Sequence, residues 1–164
     1  MKVPPLRTPR LELRAYLPAD RAAFVATYTS PEVMSSVDGA LTDAAAGALF
    51  DDIYAGRRPR VRAAWCAVHE GETVGHGALL REDESLEIGY ILPRSSWGHG
   101  YATEIARALV EYARETLGAP QVLATVDVDN AASIRVLQKI GMTLIERVED
   151  PDGPYLKYKI DGAP

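Results

Sequence analysis

The segment Trp97-Gly98-His99-Gly100-Tyr101-Ala102-Thr103-Glu104 constrains this chain more than any other stretch. An alternating apolar run, Ser85 to Leu92, stops at Pro93 just before it, which reads as a strand. A helical stripe of Ala102, Ile105, Ala106, Leu109, Val110 and Ala113 begins inside it. Glycines between a strand and a helix permit positive φ and let a ligand approach the backbone closely. The unpaired N–H groups of the helix start then form an anion cradle, reinforced by the helix dipole, and a diphosphate is its natural guest. Alone, the pattern serves equally well as a plain strand-to-helix turn. Two other phosphate-binding patterns do not fit. A Walker loop requires Gly-Lys-Ser/Thr after a longer spacing. A dinucleotide fingerprint requires glycine where Thr103 stands, and an early parallel βαβ unit where this chain has antiparallel-looking strands.

Around this turn the chain reads as one α/β unit. Leu11 to Pro18 alternates as a first strand, and Asp20 to Tyr28 and Leu41 to Ala55 are helical, the second capped by Thr42 or Asp43 and closed by Gly56. Val61 to His69 and Thr73 to Arg81 flank the hairpin signal Glu70-Gly71-Glu72, and Ser85 to Leu92 follows as a third strand. The helix from Gly98 to Leu117 leads to a buried strand, Gln121 to Val128. A helix from Asn130 to Gly141 and a hairpin (Thr143 to Glu149, Tyr155 to Ile160) close the chain. The expected fold is a mixed, mostly antiparallel sheet of about seven strands flanked by about four helices. One parallel pair is made by the right-handed crossover from Ser85 to Val128.

Composition bounds the function. The 164 residues are 47% hydrophobic, enough for one domain spanning residues 1–164 with a core that buries about 70% of the unfolded surface. One cysteine excludes an internal disulfide, and three scattered histidines show no metal-ligand spacing, so no metal is expected. A net charge of −5 argues against nucleic acid as a partner. No apolar run reaches the roughly 18 residues of a membrane span. The N-terminal residues carry no apolar signal core, so no membrane partner and a cytoplasmic location are expected.

The turn resembles the phosphate loop of the GNAT N-acetyltransferases, Q/R-x-x-G-x-G/A, with Trp97 standing where Gln or Arg is usual. That departure resembles the Rim-type branch, the ribosomal-protein N-terminal acetyltransferases and their relatives. Three further segments are similar to that branch in order and spacing: Thr8-Pro9-Arg10-Leu11-Glu12-Leu13-Arg14, Glu87-Ile88-Gly89-Tyr90, and Asn130-Ala131-Ala132-Ser133 through Gly141-Met142. The resemblance implies a GNAT fold with a splayed parallel pair and acetyl-CoA as cosubstrate. Its pyrophosphate would lie on backbone N–H groups of Gly98 to Thr103, with Trp97, Gly98, His99, Gly100, Tyr101, Ala102, Thr103, Asn130 and Ser133 as cofactor-binding residues. Arg94 and His99 would add positive charge nearby. The acceptor would be a primary amine, a protein N-terminus or a small molecule, and a homodimer is a form of assembly the family often takes.

Transfer from a thioester to an amine needs a neutral amine, a held oxyanion and a stabilised thiolate. Deprotonating a lysine-type amine at pH 7 costs about 4.6 kcal/mol and an α-amine only about 1 kcal/mol. Glu87 is the candidate base. It shares a strand face with Gly89 and Ile91 while Leu86, Ile88 and Tyr90 take the other, and apolar company would raise its pKa toward a useful value. The competing reading is a solvent-facing glutamate paired with an arginine. Backbone N–H groups at Tyr90 or Ile91 are candidates for the oxyanion site. Many GNAT relatives carry a proton-donating tyrosine seven residues after the Asn130 place; here Leu137 stands there and cannot donate. The Rim-type branch has serine at the Ser133 place, so Ser133 is the second catalytic candidate, as stabiliser of the CoA sulfur. Asn130 is equally explained as a helix N-cap. The missing tyrosine also admits a non-catalytic acyl-CoA-binding module. The arginines 57, 58, 60 and 62 read as a solvated helix end, Cys66 as a buried structural thiol, and His76, between two glycines that suggest a bulge, as a packed strand residue.

Overall fold

The computed structural model describes residues 2–37 and 39–162. Eight strands form one sheet: β1 (Leu6–Arg7), β2 (Glu12–Arg14), β3 (Val61–His69), β4 (Glu72–Glu82), β5 (Ser85–Ile91), β6 (Gln121–Asp127), β7 (Thr143–Val148) and β8 (Tyr155–Asp161). Their spatial order is β1-β2-β3-β4-β5-β6-β8-β7. Every neighbouring pair is antiparallel except β5 with β6. The count is one above the expected seven because Leu6–Arg7, ahead of the expected first strand, adds a short strand on β2; the expected Leu11 to Pro18 strand shortens to Glu12–Arg14, and Pro18, which lacks an N–H for a ladder, opens a helical turn. The closing hairpin folds back so that β8, not β7, pairs with β6.

Five α-helices cover the sheet: α1 (Arg21–Tyr28), α2 (Pro31–Met34), α3 (Asp43–Ala55), α4 (Tyr101–Glu111) and α5 (Ala131–Lys139). The short α2, capped by Ser30 with Pro31 in its first turn, is the helix that periodicity did not reveal. Thr42 caps α3 by accepting from Ala45 N, and Gly56 closes it at φ 72°. The helix expected from Gly98 starts at Tyr101, and its last turn loosens into a π-turn over 112–116.

The two faces of the sheet carry separate cores. Against α4 and α5 lies an aliphatic core that includes Leu13, Trp65, Leu79, Ile88, Ile105, Leu109, Val122 and Leu137. Against α1 and α3 lies a smaller aromatic one, Tyr16, Phe24 and Phe50 with Ile53, Ala64 and Cys66. Gly75 and Gly77 set how close α4 can come: a Cβ on Gly75 would sit 2.9 Å from Ile105 Cδ1, and one on Gly77 3.0 Å from Ile105 Cγ2. A register shift against β3 does occur beside Gly75, between Ala67 and Val68. The glycines themselves are required by the helix lying across them. No helix among the described residues is long and apolar enough to cross a membrane.

Candidate active site at the splay of two parallel strands

β5 and β6 hold register over only two pairs, Leu86 with Val122 and Glu87 with Leu123. Beyond them β5 stays on β4 as far as Ile91, and β6 stays on β8 as far as Asp127. The sheet therefore opens into a cleft after Glu87. A Cβ on Gly89, two residues along, would meet nothing within 4 Å. Open space thus adjoins Glu87 on its own face of the sheet.

Glu87 is only 7% exposed, which removes the solvent-facing reading. It is nevertheless paired. Thr125 Oγ1, on β6 across the cleft, donates to its Oε1 at 2.6 Å, and Arg60 donates to its Oε2 at 3.0 Å. Arg60 also reaches Glu82 at 2.9 Å. One member of the arginine cluster is thereby a neighbour of the candidate base, while Arg57 pairs with Asp52 as a helix-end arginine does.

The glycine turn has the conformation its residues suggest. Gly98 and Gly100 take φ 77° and 82°. The first helical bond runs from Glu104 N to Gly100 O at 3.3 Å, so the N–H groups of Tyr101, Ala102 and Thr103 precede any intrahelical partner. The N-terminal segment braces this turn. Glu104 accepts from Thr8 Oγ1 at 2.6 Å and from Arg10 Nε at 2.6 Å. Arg10 donates in addition to the His99 carbonyl at 2.8 Å and lies over the Tyr101 ring. Burial works to raise the Glu104 carboxyl, but the Thr8 and Arg10 hydrogen bonds outweigh it and hold its pKa below the ordinary value. Trp97 is braced too: its indole N–H donates to Leu92 O at 3.0 Å, and Arg94, which pairs with Glu32 of α2, lies over its ring. His99 is exposed and stacks on the buried Tyr101.

At the start of α5, Asn130 Oδ1 accepts from Ser133 N at 3.1 Å, the N-cap its residue type suggests. Leu137 is wholly in the core. The Ser133 hydroxyl instead meets Tyr90, whose hydroxyl lies 3.0 Å from Ser133 Oγ. Burial pushes the Tyr90 phenol up to about 12 against the opposing hydrogen bond with Ser133. Sequence reading considered only the backbone of Tyr90; the overlooked signal was a polar tip on the apolar face of β5. Nothing in the local sequence marks Thr125 or Arg60 as partners of Glu87.

The remaining candidates are structural. Cys66 is fully buried, and burial pushes its thiol up to about 11, unlike a nucleophile's. His76 is enclosed by Tyr16, Phe24 and Tyr28, with Nδ1 3.0 Å from the Tyr16 hydroxyl and Nε2 buried without a partner. Burial lowers its pKa to about 4.

Residues 10–143 match the acetyltransferase (GNAT) domain family. The chain belongs to the GNAT acetyltransferase family. Among curated GNAT relatives, the uncharacterized N-acetyltransferase YoaA of Bacillus subtilis is 31% identical over 146 residues, 84% of this chain and 82% of YoaA. The acetyltransferase of Agrobacterium tumefaciens superposes with a TM-score of 0.82 at 29% identity, over 98% of this chain and 95% of that one. The ribosomal-protein α-N-acetyltransferase RimL, solved in complex with coenzyme A, shares the fold with a TM-score of 0.83 at 18% identity, over 97% of this chain and 98% of its own. In this GNAT enzyme of N-acetyl transfer, the glycine turn, the splay and the start of α5 thus converge from three separate stretches of chain.

Proposed function

We propose that this GNAT enzyme transfers acetyl from acetyl-CoA to a primary amine, either a protein N-terminal α-amine or a small-molecule amine, with Glu87 as the base. The observation that carries the reading is the position of Glu87: a buried carboxylate at the point where two strands part, beside space that Gly89 leaves open. The site suits the cosubstrate. Successive N–H groups after two left-handed glycines suit a pyrophosphate, and RimL, of like fold, was solved with coenzyme A. When bound, the thioester supplies an acyl group already activated, so no acyl-enzyme is required.

The roles follow from the chain's own groups. Trp97 and Arg10 fix the turn, and Gly98 to Thr103 present the backbone donors. Asn130 spends its Oδ1 on Ser133 N and keeps its amide N–H2 for the cosubstrate. Ser133 faces the departing sulfur. Glu87 accepts the proton of the incoming ammonium. Each of its oxygens accepts one hydrogen bond and keeps a second lone pair for the proton. Arg60, whose side chain is 62% exposed and which Glu82 also holds, is the partner free to shift as Glu87 becomes neutral. An α-amine makes the smaller demand on such a base, because less free energy separates it from its neutral form at pH 7. Nothing about the site favours the non-catalytic alternative, since a bare CoA-binding module needs no buried carboxylate beside open space.

The test is acetyl-CoA binding by calorimetry, then thiol release with a panel of amines. Glu87→Gln lowers turnover about a hundredfold and leaves acetyl-CoA affinity unchanged, with the largest loss for amines of high pKa. An unchanged rate removes Glu87 from the reaction, and absence of acetyl-CoA binding by the wild type sinks the reading.

A further inference from the structure

The Tyr90–Ser133 contact joins two elements that the sheet does not join. Tyr90 stands on β5 three residues past the last register pair with β6, and Ser133 lies in the first turn of α5. The Tyr90 hydroxyl lies 3.0 Å from Ser133 Oγ and 3.5 Å from the Ser133 carbonyl oxygen. The direction of the bond follows from chemistry. Either hydroxyl could donate in the 3.0 Å contact; the phenol has one proton to give and is the stronger acid of the two, and Oγ is nearer to it than the carbonyl, so we take Tyr90 as the donor to Ser133 Oγ. The Ser133 hydroxyl then keeps its own proton to donate, while its N–H is held by Asn130 Oδ1 at 3.1 Å. Accepting one hydrogen bond polarises a hydroxyl and strengthens the one it gives.

We infer that Tyr90 is a positioning residue for the thiolate-stabilising role of Ser133: its hydroxyl orients and polarises the Ser133 O–H toward the departing sulfur. The inference rests on the acetyl-transfer reading above. In that reaction Glu87 first takes one proton from the ammonium and passes it to solvent. The neutral amine nitrogen then bonds to the carbonyl carbon, the carbon–sulfur bond breaks with its electron pair leaving on sulfur as thiolate, and the proton that nitrogen sheds as the amide forms goes to Glu87. Ser133 donates a hydrogen bond to the thiolate without surrendering its proton, and Tyr90 donates to Ser133. This two-hydroxyl chain supplies from β5 the support that Leu137, fully buried in the core, does not supply from α5.

The experiment compares binding of CoA with that of desulfo-CoA, which lacks the sulfur, at alkaline pH where the thiol ionises. Wild type prefers CoA about tenfold, the scale of a hydrogen bond to a charged group. Tyr90→Phe keeps the ring and removes most of that preference, Ser133→Ala removes it, and the double variant loses no more than Ser133→Ala alone. Ser133→Thr, which keeps a hydroxyl, retains it. In turnover, Tyr90→Phe lowers kcat about tenfold and leaves the KM for acetyl-CoA within about twofold. If Tyr90→Phe folds poorly, the Ser133→Ala and Ser133→Thr pair still reads the preference. The inference is overturned if Tyr90→Phe keeps the full preference, if the two losses add in the double variant, or if wild type binds CoA and desulfo-CoA equally. A wild type that binds neither overturns the acetyl-transfer reading itself, a result distinct from these.

Discussion

The two faces of the sheet are built from different materials. The face under α4 is mostly aliphatic, dry beneath the helix and thinned by glycine, so that a helix can lie close on β4 and carry the glycine turn at its start. The face under α1 and α3 is aromatic and encloses polar groups: His76 sits among Tyr16, Phe24 and Tyr28, and Glu87 lies on the same side of its strand as Gly89 and Ile91. The first face is stiffened chiefly by contact area. The second holds groups whose charge depends on pH, and Asp20, bidentate to Arg14 at 2.7 and 3.0 Å, borders it. In the proposed reaction, tight packing would set the cosubstrate side and electrostatics the acceptor side.

The sharpest way to break this contrast is acid. His76 is buried neutral with its pKa lowered to about 4, while in the unfolded chain it titrates near 6.5. The unfolded state takes up the proton first, so stability falls as pH drops through 6.5 and the loss is complete below about 4. The full loss is about 3 kcal/mol. Urea unfolding at pH 7 and pH 4 should show that decrement in wild type and lack it in His76→Gln. Asp20 has the opposite sign of origin but the same direction. Burial raises its pKa, yet Arg14 and the Leu17 N–H outweigh burial and hold it below the ordinary carboxylate value. Its stabilisation is present above the unfolded pKa and is lost only at still lower pH, as pH falls through the folded value.

The dry face responds instead to volume. Gly75→Val places branched carbon where Ile105 Cδ1 would be 2.9 Å and Leu92 Cγ 3.0 Å from the new Cβ. Overpacking of this kind costs about 2 kcal/mol, with no pH dependence between 7 and 4, and it weakens acetyl-CoA binding because α4 carries the turn. An equal pH slope in the glycine and histidine variants would erase the distinction between the faces. The smallest expected effect is at the rim. Arg10→Ala removes the donor to the His99 carbonyl and the cover on Tyr101. Acetyl-CoA affinity should fall about fivefold by calorimetry, in keeping with the loss of partly exposed charged hydrogen bonds to Glu104 and the His99 carbonyl, while the melting temperature moves little.

These differences also explain what the sequence disclosed. The dry face writes itself locally: alternation in β5, a stripe in α4 and glycines between them are all within 30 residues, and the α4 boundaries erred only by the length of the turn. The Asn130 cap and the Thr42 cap are equally local. The acceptor side is assembled at a distance. Arg60 reaches Glu87 across 27 positions and Thr125 reaches it across 38; on the opposite face, Tyr90 meets Ser133 across 43. No periodicity encodes such pairs. The insertion of β8 between β6 and β7 is likewise invisible locally, since either strand of the hairpin could have paired with β6.

An open sheet ordinarily has two edges where backbone hydrogen bonding goes unspent. This one has four, because the parting of β5 from β6 creates two more in its interior. Outer edges invite other strands and so favour aggregation. The inner pair instead face each other, with β4 already paired behind β5 and β8 behind β6. An extended molecule lying between them and hydrogen-bonding on both sides would restore the missing rung between the two halves of the sheet.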